Sequence, residues 1–254
     1  MDNILQLKAI ANVPKFGICL LIKNENRYIN EWLEWHLSIG VERFFIYDNG
    51  SVVPIKESVE EQYKQYCYFV DWVGEFINTQ LDCYRDCLAR FKDEVEWLAF
   101  IDTDEFLRPI TCDNIVEFMN DYADYDALYV RWTCYNANGL VERDERPVRE
   151  RFTQSMQFDP SQLQGKTILR PNRFQRMGSH FPMGGMFNRR IVLENYEIIK
   201  EPVNGPCNKI TIDHYYTRSF EEWKEKLGRG FCDPRVTRYY DEFFIYNPDL
   251  IYLK

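Results

Sequence analysis

No apolar run in this 254-residue chain approaches the roughly 20 residues needed to cross a bilayer. The opening Met1-Asp2-Asn3-Ile4-Leu5 lacks the basic start and small-residue cleavage site of an export signal. The expectation is a soluble, cytoplasmic protein, at most peripheral to the inner face of a membrane. Positive charge is not in excess: 31 Lys and Arg stand against 40 Asp and Glu, a net charge of −9, which argues against a dedicated nucleic-acid binder. Zinc-site spacing is missing too. Cys83 and Cys87 would lie one helical turn apart, but no second pair accompanies them, and without an export signal the eight cysteines read as reduced thiols. There is no internal repeat, low-complexity tract or evident linker, so a single domain over residues 1–254 is expected.

What the chain does have is apolar substance, 45% hydrophobic and 16% aromatic residues, enough for a sizeable core. Short apolar runs at 16–22, 44–47, 66–70 and 97–101 have the length of buried strands. Between them, residues 29–40 and 76–91 place apolar side chains every three to four positions, the spacing of helices with one buried face. Strands alternating with helices predict an α/β fold with a mostly parallel sheet. Further on, a helix near 113–122 with Asp113 as its cap, strands at 128–132 and 210–216, and a helix opened by the capping box Ser219-Phe220-Glu221-Glu222 and stopped by Gly228 or Gly230 are expected. Residues 135–190 show little periodicity.

Parallel sheets bind ligands beyond the carboxyl ends of their strands. Asn24-Glu25, Asp48 and Asp102-Thr103-Asp104 all fall at such ends. In an extended segment Asp102 and Asp104 share a face, and two hard carboxylates there suit Mg²⁺ or Mn²⁺, ions that commonly complete their shell with substrate phosphates. Each element also has a plainer explanation. Asp-x-Asp can cap a turn, Asn24-Glu25 can cap a helix, and Asp48 before Asn49-Gly50-Ser51 can form a turn. His36, on a helix rich in Trp and Leu, reads as a packed core histidine.

The segments Cys19 to His36, Ile46-Tyr-Asp-Asn-Gly-Ser51 and Trp97-Leu-Ala-Phe-Ile-Asp102-Thr-Asp104-Glu105-Phe106, with Gly178-Ser-His180-Phe and the stretch from His214 to Gly230, resemble glycosyltransferase family 2-type proteins. They are most similar to the branch that also looks like glycosyltransferase family 92, over roughly residues 16 to 231. The resemblance implies a GT-A fold, with a Rossmann-like nucleotide-sugar-binding half at about 14–110 and an elaborated acceptor-side half at about 111–254. It implies a nucleotide-diphosphate sugar donor (a UDP-sugar foremost), a glycan or glycolipid acceptor, Mn²⁺ or Mg²⁺, and inverting transfer in polysaccharide or glycoconjugate synthesis. By position, Asn24, Glu25 and Asp48 would line the nucleotide pocket, with Gln80 and Arg85 flanking it. Asp102 and Asp104 would meet the diphosphate and metal, His214 would be a further metal ligand, and Arg229 would reach the diphosphate.

The acidic pair that family 2-type enzymes use as base has no unambiguous counterpart, which leaves His180, Asp144 and Glu145 as candidates. Residues 143–190 hold ten Lys and Arg against four Asp and Glu, a stretch suited either to an anionic ligand or to a salt-bridged surface. Two other functions remain open. A non-catalytic sugar or nucleotide-binding module would keep the same fold. A phosphatase of the haloacid dehalogenase type also uses Asp-x-Asp, but Phe106 stands where it needs Thr or Val.

Overall fold

Alternation along the first strands sets the two layers. The computed structural model describes residues 13–73, 79–156, 164–183, 188–230 and 238–254. In β1 (Phe16–Ile22), Phe16, Ile18, Leu20 and Ile22 pack with one core cluster and Cys19 with another. Period-two side-chain direction thus lets one strand serve both faces of the sheet. On the first face lie α1 (Ile29–Ser38), through Ile29, Trp32 and Leu33, and later a helix over Ile115–Asn120. On the other lies a helix over Thr79–Phe91.

After β1 and α1 come β2 (Arg43–Asp48), the single-turn helices α2 (Ile55–Ser58) and α3 (Glu61–Lys64), and β3 (Cys67–Asp71). Then follow α4 (Thr79–Phe91), β4 (Trp97–Phe100), β5 (Glu105–Pro109) and α5 (Ile115–Asn120). The expected helix at 76–91 is thus present from Thr79, and Ile77 lies outside the described residues. The cap of α5 is Asn114, whose side chain accepts from the amides of Val116 and Glu117, and not Asp113 as anticipated. The two residue types cap equally well, and one position of offset is beyond what periodicity resolves.

The second half supplies β6 (Ala127–Cys134), α6 (Val148–Arg151), β7 (Gly165–Leu169), β8 (Ile191–Val192), β9 (Ile198–Ile199), β10 (Ile210–His214), α7 (Phe220–Arg229) and α8 (Glu242–Tyr246). The sheet runs β3-β2-β1-β4-β7-β6-β10-β5, with β8 and β9 attached beside β6. This is the expected mixed α/β architecture, with parallel pairing through β3-β2-β1-β4. Beyond β4 the sheet is mixed, because β7 enters antiparallel between β4 and β6. β7 was hidden in the aperiodic stretch. It passes so close to β6 that a Cβ on Gly165 would collide with the Val130 carbonyl oxygen, so only glycine fits there.

Candidate active site at the carboxyl edge of the sheet

The segment after β4 is a tight turn and not the extended strand end anticipated. The Glu105 amide donates to the Asp102 carbonyl at 3.0 Å, and the Asp102 amide donates to Glu105 Oε2 at 2.8 Å. Trp32 of α1 ties the turn down from below, its indole N–H shared between the carbonyls of Asp102 (3.2 Å) and Glu105 (2.9 Å). β10 runs alongside, with His214 opposite Glu105 and the Tyr215 amide donating to the Asp104 carbonyl at 2.8 Å. That register brings His214 to Asp104 across more than a hundred residues of sequence.

A cavity of about 520 Å³ opens over this turn. Of the residues anticipated, Glu25, Gln80, Asp102, Asp104, His180, His214 and Arg229 line it. The turn gives each aspartate its own cation. Asp102 Oδ2 accepts from Lys166 of β7 at 2.9 Å, and Gln80 approaches Oδ1 at 3.4 Å. Asp104 Oδ2 accepts from Lys226 of α7 at 2.5 Å and lies 3.7 Å from His214 Nε2. Neither lysine was identified as a site residue. Lys166 sits in a β-strand that carried no legible period, and Lys226 reaches Asp104 only through tertiary packing.

Electrostatics follow from burial opposed by these partners. Burial alone would raise the Asp104 carboxyl, but the Lys226 ammonium, His214 and Arg218 hold it well below the ordinary range. Burial pushes the Lys226 ammonium down to about 8, against the pull of Asp104. Glu105, fully buried, is raised well above the carboxylate range by burial, with Asp102 and Asp104 adding to the rise and Lys166 opposing it. Its Oε1 has no hydrogen-bond partner among the described residues. Burial and the Lys166 charge lower His180 to about 4. Its Nδ1 lies 2.9 Å from the Gly165 carbonyl. A carbonyl can only accept, so Nδ1 carries the proton and Nε2 is left as an acceptor.

Glu25 is held between two guanidiniums, Arg218 at 2.9 Å and Arg229 at 2.5 Å. The helix that carries Arg229 and Lys226 is fixed at its start. Ser219 and Glu222 form the expected capping box, and Glu222 also accepts from Arg151 (2.8 and 3.1 Å) and Tyr28 (2.7 Å). Gly230, at φ 74°, ends the helix, as one of the two anticipated glycines.

Other anticipated residues stand apart from this cavity. Asn24, in a left-handed conformation (φ 53°), accepts from the Val52 amide at 2.8 Å and so braces the turn after β2. Asp48 spends both carboxylate oxygens on the amides of Ser51 (2.9 Å) and Ile55 (2.8 Å), a turn-forming role. Arg85 points outward and pairs with Asp82 along α4. Asp144 and Glu145 do not line this cavity and are held by arginines, Asp144 by Arg146 at 2.6 Å and Glu145 by Arg27 at 3.2 Å. The basic stretch is largely compensated in the same way. Arg143 pairs with Glu225, Arg151 with Glu222 and Arg170 with Glu96, while Lys166 alone of its lysines and arginines lines the cavity. His36 is a core residue, bonded through Nδ1 to the Trp32 carbonyl and through Nε2 to the Leu107 amide. The seven described cysteines are free thiols.

The chain matches the family model for glycosyltransferase family 92 over residues 15–230. It is similar to a glycosyltransferase family 92 protein of Ricinus communis, 26% identical over 220 residues, covering 84% of this chain and 37% of that protein. A family 92 protein of Arabidopsis thaliana is 29% identical over 165 residues, 61% of this chain and 28% of its own length. The chain therefore spans well under half the length of these relatives. Among solved structures, it is similar to Staphylococcus aureus TarS (residues 1–349), with a TM-score of 0.39 and 20% identity over 50% of this chain and 38% of that one.

Proposed function

The chain belongs to glycosyltransferase family 92, and from that premise we propose that it transfers a sugar from a nucleotide-diphosphate donor to a hydroxyl of a glycan or glycolipid, with inversion. The observation that carries this reading is the convergence of Asp102, Asp104, Lys166, His214, Lys226 and Arg229 on one cavity at the carboxyl edge of the sheet. Alternating carboxylates and cations at that edge suit a diphosphate, whose oxygens need positive charge and whose charge grows as the bond to the sugar breaks. Arg229 has a fork of donors suited to phosphate oxygens, and the Lys166 ammonium, held at the floor by Asp102, adds a fixed positive charge.

Asp104 and His214 would hold part of the shell of the expected Mn²⁺ or Mg²⁺. Asp104 Oδ2 and His214 Nε2 are 3.7 Å apart, within the span of two coordinate bonds of about 2 Å each. No group of three His, Cys, Asp or Glu ligands is gathered among the described residues, so diphosphate oxygens and water would complete the shell, as is usual for these ions. When bound there, the ion would neutralise the leaving diphosphate.

For the acceptor's proton, His180 is the group the geometry favours over Asp144 and Glu145. Its Nδ1–H is committed to the Gly165 carbonyl, and the ring stands edge-on to Trp132, which lines the same cavity. The depressed pKa leaves Nε2 unprotonated at neutral pH.

The test is a mass-spectrometric screen of nucleotide sugars for release of the nucleoside diphosphate, with Asp104→Asn as control. Turnover of at least one donor that falls about a hundredfold or more in the variant is the expected result. Equal turnover by the folded variant would remove the cavity from the mechanism. Metal-dependent nucleotide binding without turnover of any donor would favour a binding module instead.

A further inference from the structure

Resting on the reading of this cavity as a diphosphate site, we infer that Lys226 is an exchangeable counterion that competes with the divalent cation for Asp104. The same oxygen, Asp104 Oδ2, faces both His214 Nε2 at 3.7 Å and the Lys226 ammonium at 2.5 Å. An ion bridging Asp104 and His214 would be forced against an ammonium already seated on its oxygen, and like charges at that separation repel strongly where water is scarce. Occupation by one cation therefore excludes the other.

The way Lys226 is held fits exchange. Among the described residues its ammonium bonds Asp104 and one neutral partner, the Tyr216 carbonyl at 2.7 Å, with the Tyr216 ring 4.3 Å away. Lys166 differs: it faces two acidic side chains, Asp102 at 2.9 Å and Glu105 at 3.6 Å, from a buried strand. Lys226 also borders two openings at once, the main cavity and a neighbouring one of about 380 Å³ lined by Glu25, Arg218 and Arg229. Its four-carbon stem, rooted in the last turn of α7, can carry the ammonium from Asp104 to a diphosphate in the main cavity without moving the helix. Arg229, one residue type away in chemistry and three positions along α7, already stands there. The donor thus offers the displaced ammonium a new anion, and cation and nucleotide bind cooperatively.

The experiment is a Mn²⁺ titration followed by the electron paramagnetic resonance of the free ion, with and without UDP, on the wild type, Lys226→Gln and Asp104→Asn. Lys226→Gln is expected to bind Mn²⁺ alone at least tenfold more tightly than the wild type. UDP is expected to tighten Mn²⁺ binding by a larger factor in the wild type than in Lys226→Gln, since a coupling through Lys226 is lost with it. Equal Mn²⁺ affinity of wild type and Lys226→Gln, or an unchanged coupling factor, overturns the inference. Absence of Mn²⁺ and UDP binding in every version overturns the site reading itself, a different outcome. Should Lys226→Gln fail to fold, amine labelling of the wild type read by mass spectrometry decides. Saturating Mn²⁺ should raise modification of Lys226 and leave Lys166 unchanged, and no change at Lys226 sinks the exchange.

Discussion

Two lysine–aspartate pairs sit on either side of the turn after β4, and they are built differently. Lys166 and Asp102 belong to the sheet: the lysine comes from β7, between β4 and β6, and Glu105 beneath adds a second acidic side chain. Lys226 and Asp104 join the sheet to a helix: the lysine comes from the last turn of α7, which Glu222 anchors at its opposite end. A cation held by a strand and two acids behaves as part of the floor. A cation at a helix end that bonds, among the described residues, one acid and one carbonyl can be traded. The same charge pair thus serves as scaffold on one side and as working part on the other.

The largest effect that would test this division is on the helix anchor. Burial opposes ionisation of Glu222, yet Arg151, Arg218 and Ser219 hold its carboxyl down at about 2. A depressed carboxyl contributes stability that is complete above its unfolded value near 4.5 and is lost as pH falls through about 2. Glu222→Gln is expected to lower unfolding free energy by roughly 3 kcal/mol at neutral pH. Its urea midpoint should converge on that of the wild type as pH falls from about 4.5 to about 2. A constant difference across that range would mean that the ionised carboxylate is not what secures α7.

Next in size, His180→Ala should reduce kcat by about a hundredfold with little change in donor KM, the pattern for a group acting on the acceptor's proton. A rise in donor KM at unchanged kcat would move His180 to the donor side. A direct contrast of the two pairs comes third. Lys166→Met, which removes a buried cation bonded to Asp102 and facing Glu105 from the middle of the sheet, is expected to cost about 2 kcal/mol more stability than Lys226→Met, measured by denaturant unfolding. Equal losses would erase the distinction between scaffold and working part. The smallest effect is expected at Asp144→Asn and Glu145→Gln, whose turnover should stay within about twofold of the wild type because neither lines the cavity and surface ion pairs of this kind contribute little to stability.

The parallel half of the sheet was legible because buried strands there are uninterrupted apolar runs and α1 keeps its period through Ile29, Trp32 and Leu33. The capping box at Ser219 was legible for the same reason: its signal is local. What escaped was set by long-range pairing. Gly165-Lys166-Thr167-Ile168-Leu169 is short and begins with glycine and lysine, so nothing marks it as a central strand until β4 and β6 close on it. Asp48 and Asp102 look alike as strand-end aspartates, yet Asp48 is consumed by two amides of its own turn, whereas Asp102 faces a lysine 64 positions away. Strand-end position could be read from the sequence, but the partner of each carboxylate could not.

The most direct measurement of the central claim is the melting temperature of the protein with UDP, with Mn²⁺, and with both, in the wild type and in Asp104→Asn. A nucleoside diphosphate site built on Asp104 predicts a rise with UDP and Mn²⁺ together that exceeds the sum of the separate rises and is abolished in Asp104→Asn. An undiminished rise in Asp104→Asn, or none with any nucleoside diphosphate, would contradict it.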